Sequence, residues 1–287
     1  AACVSIFLPS EILHALGIPP VLPEGLSCYL VSTAAERVFV EAAEERGVPE
    51  SYCSYHKILL GLAETGVMAR PRFILNTSLA CDANQLTFRR LAGFWDVPRF
   101  TVDVPYAPSE ESVAQVAEQL RAMAAFVQAH GGRPLEEDAL RAAVARSRAT
   151  VEGYHRYLSL RAERSLSDEM TSEMLSVFAT HSMLGSPEAL RYTEQLCAQV
   201  AALPEGRRGK RILWLHTLPH WQDSLRALVA PELYQLAHLP ERMAVPCGEI
   251  LRRAGARYLR QRGPVFRDAA KNGVNKARGT RAPGLAA

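Results

Sequence analysis

Cys53 and Cys81 stand 28 residues apart, and each occupies the same kind of setting: a short loop followed by an apolar run. Cys53 precedes Ile58 to Leu62. Cys81 is flanked by Ser78 and Asp82, both good helix starters, and an amphipathic stretch from Leu86 to Phe94 follows. A thiolate at a helix N-terminus is favoured by the helix dipole and by free backbone N–H groups, a setting that suits metal or cluster ligation. The opposing reading is a pair of small buried hydrophobes, the usual fate of a free cysteine, and spacing alone does not separate the two. Glu11, in a Pro-Ser-Glu turn, reads either as a carboxylate in a helix first turn or as a polar contact or base near a substrate. Asp82 and Asn84 read as capping residues that would also orient the Cys81 loop. His56 and His216 read as structural, because no partner is visible for either.

The elements that would position these groups alternate between strand and helix. Residues 3 to 8 read as a strand ended by Pro9, and Ser10 then starts a helix to about Leu16. A Pro-rich turn follows from Ile18 to Pro23, and Cys28 reads as a buried strand residue. Thr33 to Arg46 reads as a helix closed by Gly47. Arg72 to Thr77 is a short apolar run after Pro71 and reads as a buried strand, as does Phe100 to Val104. This alternation predicts an α/β fold with a parallel sheet covered on both faces. Ligands of such sheets bind beyond the carboxyl ends of the strands, the edge on which Glu11, Cys53 and Cys81 are expected.

Pro105 and Pro108 mark a change to helical patterning. Ser109 to His130 carries apolar residues at helical spacing, Gly131-Gly132 breaks it, and Pro134 to Arg164 forms another long helical stretch. Ser167 opens a third helix, and Ser186-Pro187-Glu188 starts a fourth that runs to about Leu203. Residues 210 to 216 are again strand-like. The organisation read from these shifts is an α/β lobe over 1–107, a helical connecting segment over 108–205, a partial second α/β lobe over 206–270 and a disordered tail over 271–287. From Arg252 to Arg281 there are ten basic residues and one acidic one, Asp268. A solvated tail and an electrostatic contact with phosphates or an acidic partner both fit that run.

Composition narrows the classes. The 287 residues are 48% hydrophobic, enough for one large or two modest domains, and the net charge of +3 is too small to argue for nucleic acid. No run approaches the roughly 20 apolar residues of a membrane span. The first residues lack a basic leader and read as the first strand and helix. Six scattered cysteines do not form a disulfide framework and fit a reducing cytoplasm. No Gly-rich phosphate loop follows a strand, which weakens a flavodoxin-like nucleotide-binding reading.

Several pieces, in order, resemble the 2-hydroxyacyl-CoA dehydratase family, which includes benzoyl-CoA reductase subunits. They are VSIFLPSEILHALGIPPV from Val4, ESYCSYHKILLGL around Cys53, NTSLACDANQLTFRRLAGFWDVPRFTVDVPY around Cys81, and KRILWLHTLPHW from Lys210. The resemblance implies a [4Fe–4S] cluster ligated by Cys53 and Cys81, with Glu11 near the substrate. It implies a hydro-lyase that injects one electron into the thioester carbonyl of an acyl-CoA and so acidifies the β-hydrogen. It further implies a homologous second subunit in a heterodimer and an ATP-dependent activator protein as electron donor. The pattern departs at the third cluster cysteine. Cys247 sits in AVPCGEIL, Cys197 lies inside a helical stretch, and Cys3 opens the first strand. Three expectations account for this: a chain shortened at its C-terminal side, a degenerate scaffold subunit without a complete cluster, or a site completed by a partner or a non-cysteine ligand.

Overall fold

The computed structural model describes residues 1–79, 81–164, 176 and 182–206, and the backbone of 210–214 and 234–238. It is an α/β fold. Strands β1 (Ala2–Val4), β2 (Pro20–Val21), β3 (Ile74–Thr77) and β4 (Arg99–Val102) form a sheet in the order β2-β1-β3-β4, and every pairing is parallel. The expected alternation holds, with β1 shorter than the apolar run that announced it. Phe7 adopts a left-handed backbone conformation (φ 66°), which turns the chain out of the sheet soon after Val4.

The period-two rule of a strand explains the two cores. Ala2, Val4, Leu75 and Val102 face one side, where Val113, Val116, Leu120, Met123 and Val127 of helix α6 (Glu110–Gly131) cover them. Cys3 and Ile74 face the other side, against helices α4 (Ser54–Glu64) and α5 (Asp82–Trp95) through Ile58, Leu62, Phe88 and Leu91. The residue types follow from burial on both faces. Helix α6 of the helical middle stretch is thus a layer of the sheet's own core. Helix α7 (Glu137–Arg161) packs on α1 (Glu11–Ala15) and on α8 (Pro187–Ala201). Ser186 caps α8 by accepting from the Ala189 N–H at 3.0 Å, as its Ser-Pro-Glu start predicts.

Two expectations are corrected. Cys28 lies in a helix, α2 (Pro23–Ser32), because Pro23 at the first helical position and Glu24 in the first turn start a helix that apolar content alone disguises. The helix read over 33–46 is shorter, α3 (Arg37–Glu45). Ala34, in the left-handed region at φ 53°, separates it from α2. Strands β5 (Lys210–Trp214) and β6 (Tyr234–His238) pair in parallel as a two-stranded sheet, in the region read as a partial second lobe. The helix read from Ser167, together with His216, Cys247, the basic run and the tail, lies outside the described residues. No helix among the described residues is long and apolar enough to cross a membrane.

One close approach holds the α3–α4 pair. A Cβ on Gly61 would lie 1.9 Å from the Phe39 carbonyl oxygen, whereas Gly93, also helical, has nothing within 4 Å. Gly61→Ala is expected to lower stability by about 3 kcal/mol, because the obstacle is backbone and cannot rotate away. Gly93→Ala is expected to raise it by about 0.5–1 kcal/mol. Thermal denaturation of both variants checks the contrast.

Candidate functional site at the sheet switch point

The strand order reverses direction between β1 and β3: the chain steps from β1 outward to β2, and from β3 onward to β4. In open parallel sheets the crevice beyond the carboxyl ends of such a strand pair is the usual ligand site. Here it is framed by the loop after β1 and the loop after β3. The Ser5 hydroxyl closes its floor by accepting from the Thr77 N–H at 3.1 Å.

Cys81 ends the loop that leaves β3. It is the N-cap of α5, in extended conformation, and its sulfur accepts from the Asn84 N–H at 3.4 Å. Cys53 is the N-cap of α4, and its carbonyl accepts from the Lys57 N–H at 2.9 Å while its thiol makes no capping bond. Both are exposed free thiols. The expected placement of each cysteine before a helix is therefore what the structure shows. Cys53 does not leave a strand of the sheet; it lies on the turn between α3 and α4. Tyr52 docks that turn on the first turns of α5: its hydroxyl donates to the Ala83 carbonyl at 2.8 Å and lies 3.0 Å from Thr87 Oγ1.

The two cysteine-bearing helix starts also meet through His56, whose Nε2 lies 3.7 Å from Cys81 Sγ. Burial pushes this imidazole down to about 4, so it is neutral at physiological pH. Burial raises the Tyr52 phenol, and negative charge at Cys81 and Cys53 adds to the effect, so both sulfurs act on one phenol oxygen. Lys57, the cation nearest Cys53 in sequence, is committed elsewhere. It is buried and bonded to Glu44 at 2.5 Å and to the Glu50 carbonyl at 2.9 Å.

The sequence reading missed Glu24. Its Oε1 accepts from the Ile6 N–H at 3.1 Å and from Asn84 Nδ2 at 2.8 Å, which ties the exit of β1 to the helix that Cys81 caps. Its Oε2 is buried without a partner. Burial raises this carboxyl to about 7, and the bonds it accepts offset only part of the rise. A Pro-Glu pair at a helix start reads as an ordinary first-turn acid, so nothing local announced the role. Asn84 serves as more than an N-terminal helix residue: its amide side chain supplies this link.

Glu11 sits elsewhere in the same neighbourhood of the fold. Its Oε1 accepts from Ser147 of α7 at 2.8 Å, and Gly185 packs against its side chain. Burial raises its carboxyl as well. Cys3 and Cys28 are buried, with burial raising both thiols, and Cys197 is buried in α8 with its thiol donating to the Gly153 carbonyl at 3.1 Å. Among the described residues no three His, Cys, Asp or Glu side chains converge as a metal site. The pair of thiols fits part of a cluster's ligand set, and the remaining ligands are not among these residues.

Opposite pH slopes follow from Glu24 and His56. Glu24 is raised, so its stabilising share is complete below the ordinary carboxyl pKa of 4.5 and is lost as pH rises to about 7. His56 is lowered, so stability grows from pH about 4 to 6.5 as the unfolded imidazole gives up its proton. Glu24→Gln keeps an acceptor for Ile6 and Asn84 and removes the first slope. Its stability relative to the parent chain is expected to increase by on the order of 2 kcal/mol between pH 4.5 and 7, measured by urea denaturation.

Comparison of the chain with curated proteins gives no match. The sequence model of the family described as 2-hydroxyglutaryl-CoA dehydratase, D-component, matches residues 5–233, which include the whole crevice and both cysteines. The chain therefore belongs to the 2-hydroxyglutaryl-CoA dehydratase D-component family.

Proposed function

We propose that the chain is a subunit of an iron–sulfur 2-hydroxyacyl-CoA dehydratase, a hydro-lyase, in which Cys53 and Cys81 each supply a thiolate to a [4Fe–4S] cluster. The observation that carries this reading is the pairing itself: two exposed thiols at adjoining helix N-termini, docked together by Tyr52 and His56 at the switch point of a parallel sheet. Iron–sulfur clusters are held by cysteine thiolates, so two of them call for further ligands from elsewhere in this chain or from a partner. When bound, a low-potential cluster supplies one electron to the thioester carbonyl of the acyl-CoA.

The residues of the chain then have separate tasks. The helix termini and the Asn84 N–H stabilise thiolate charge. Glu24 is the carboxyl tied to the helix that Cys81 caps. With a pKa of about 7, it carries a proton at neutral pH in a substantial fraction of molecules and can exchange it at Oε2. Glu11, on the seam with α7, is the second candidate for proton exchange with the substrate. The homologous second subunit, the ATP-dependent activator and the acyl-CoA substrate belong to the same proposal, as does a cytoplasmic setting.

A second reading is a scaffold subunit that pairs with a competent partner and holds no cluster. The absence of a three-residue ligand set among the described residues favours it. Anaerobic reconstitution with iron and sulfide separates the two. Stoichiometric iron, with charge-transfer absorption that Cys53→Ser and Cys81→Ser each abolish, is expected for the enzyme subunit. Iron-free protein, or absorption unchanged in both variants, overturns the ligand assignment.

A further inference from the structure

His56 lies against the cysteine pair, yet ligation and proton exchange leave it without a task. Its Nε2 is 3.7 Å from Cys81 Sγ, within the range of an N–H···S contact. The residue is 6% exposed, and its Nδ1 is enclosed without a hydrogen-bond partner. The Tyr52 ring meets it edge-on, with centroids 6.3 Å apart.

The position of the ring proton follows from what each tautomer would leave unmet. A proton on Nδ1 would bury a donor with no acceptor, and the Nε2 lone pair would then face a ligand sulfur that has no proton to offer once a metal holds it. A proton on Nε2 points at the sulfur and leaves only a lone pair unmet on Nδ1, the smaller cost. Cys53, by contrast, makes no capping bond with its own helix.

We propose that His56 is an Nε2–H donor to the Cys81 sulfur, and a positioning residue that sets how readily an iron–sulfur centre held there accepts an electron. The second half rests on the cluster reading above. A hydrogen bond to a ligand sulfur draws charge from it and favours the more negative, reduced state, so it raises the potential. His56 is not the missing ligand on this view, because the cysteines and the imidazole do not converge as a three-residue site.

The test uses the full chain with 15N-labelled histidine, before and after anaerobic reconstitution with ferrous iron and sulfide. Long-range 1H–15N correlation of the apo chain is expected to show the Nε2–H tautomer. In His56→Leu the reduced fraction at a fixed electrode poise is expected to fall about tenfold at equal iron content, about 59 mV for a one-electron couple. His56→Gln, whose side-chain amide keeps a donor in reach, is expected to restore most of the difference. An Nδ1–H tautomer overturns the proposal, as does a His56→Leu midpoint equal to that of the parent chain. Nitrogen hyperfine coupling from an iron-bound imidazole overturns it too. A chain that binds no iron defeats the cluster reading, and the tautomer spectrum then decides the donor claim alone. Should His56→Leu not fold, His56→Gln and the tautomer carry the decision.

Discussion

One buried carboxylate joins the pieces on which the crevice depends. Glu24 takes hydrogen bonds from the backbone at the exit of β1 and from the side chain of Asn84 on α5. It thereby adds a polar link between the exit of the first strand and the helix that Cys81 caps. Burying a carboxyl is costly unless it is bonded or protonated, and here one oxygen is bonded while the other is not. Burial therefore raises this carboxyl to about 7 as a by-product of the way it holds the ligand edge together. A structural link and a chemically useful group are one residue.

The remaining architecture reads as a support for that arrangement. The parallel register places the exits of β1 and β3 side by side, with Cys3 opposite Ile74 and Val4 opposite Leu75. The apolar layers on both faces leave the loops beyond the strands as the place where polar side chains gather. Tyr52 then docks a turn that belongs to no strand by gripping the first turns of α5. Phe7, in the loop after β1, has a left-handed conformation that a bulky residue adopts at a cost of about 1 kcal/mol or more, a departure that clusters at functional sites.

The parallel sheet, the two helices behind the cysteines and the start of α8 were legible because local signals coincide there: apolar runs of strand length, N-cap residues and a Ser-Pro-Glu opening. Cys28 was misplaced because Leu26 to Val31 is apolar enough to mimic a strand, and only Pro23 argued for a helix. Glu24 was illegible for a deeper reason. Its partners, Ile6 and Asn84, are 18 and 60 residues away, and nothing in a one-dimensional pattern joins them. The same limit hid the meeting of His56 with Cys81, which depends on two helices packing side by side. Glu11 drew notice through its turn motif, while its contact with Ser147 across 136 residues could not be read.

Pro20 occupies one of the two residues of β2, at the outer border of the sheet. A proline offers no N–H to an incoming strand, and a border two residues long presents little template for one. Lateral growth of the sheet by a stray chain is thereby discouraged on that flank, a protection against aggregation built from a single imino acid. A partner that meets the molecule on that flank is left to recognise it through side chains rather than by prolonging its ladder of backbone bonds.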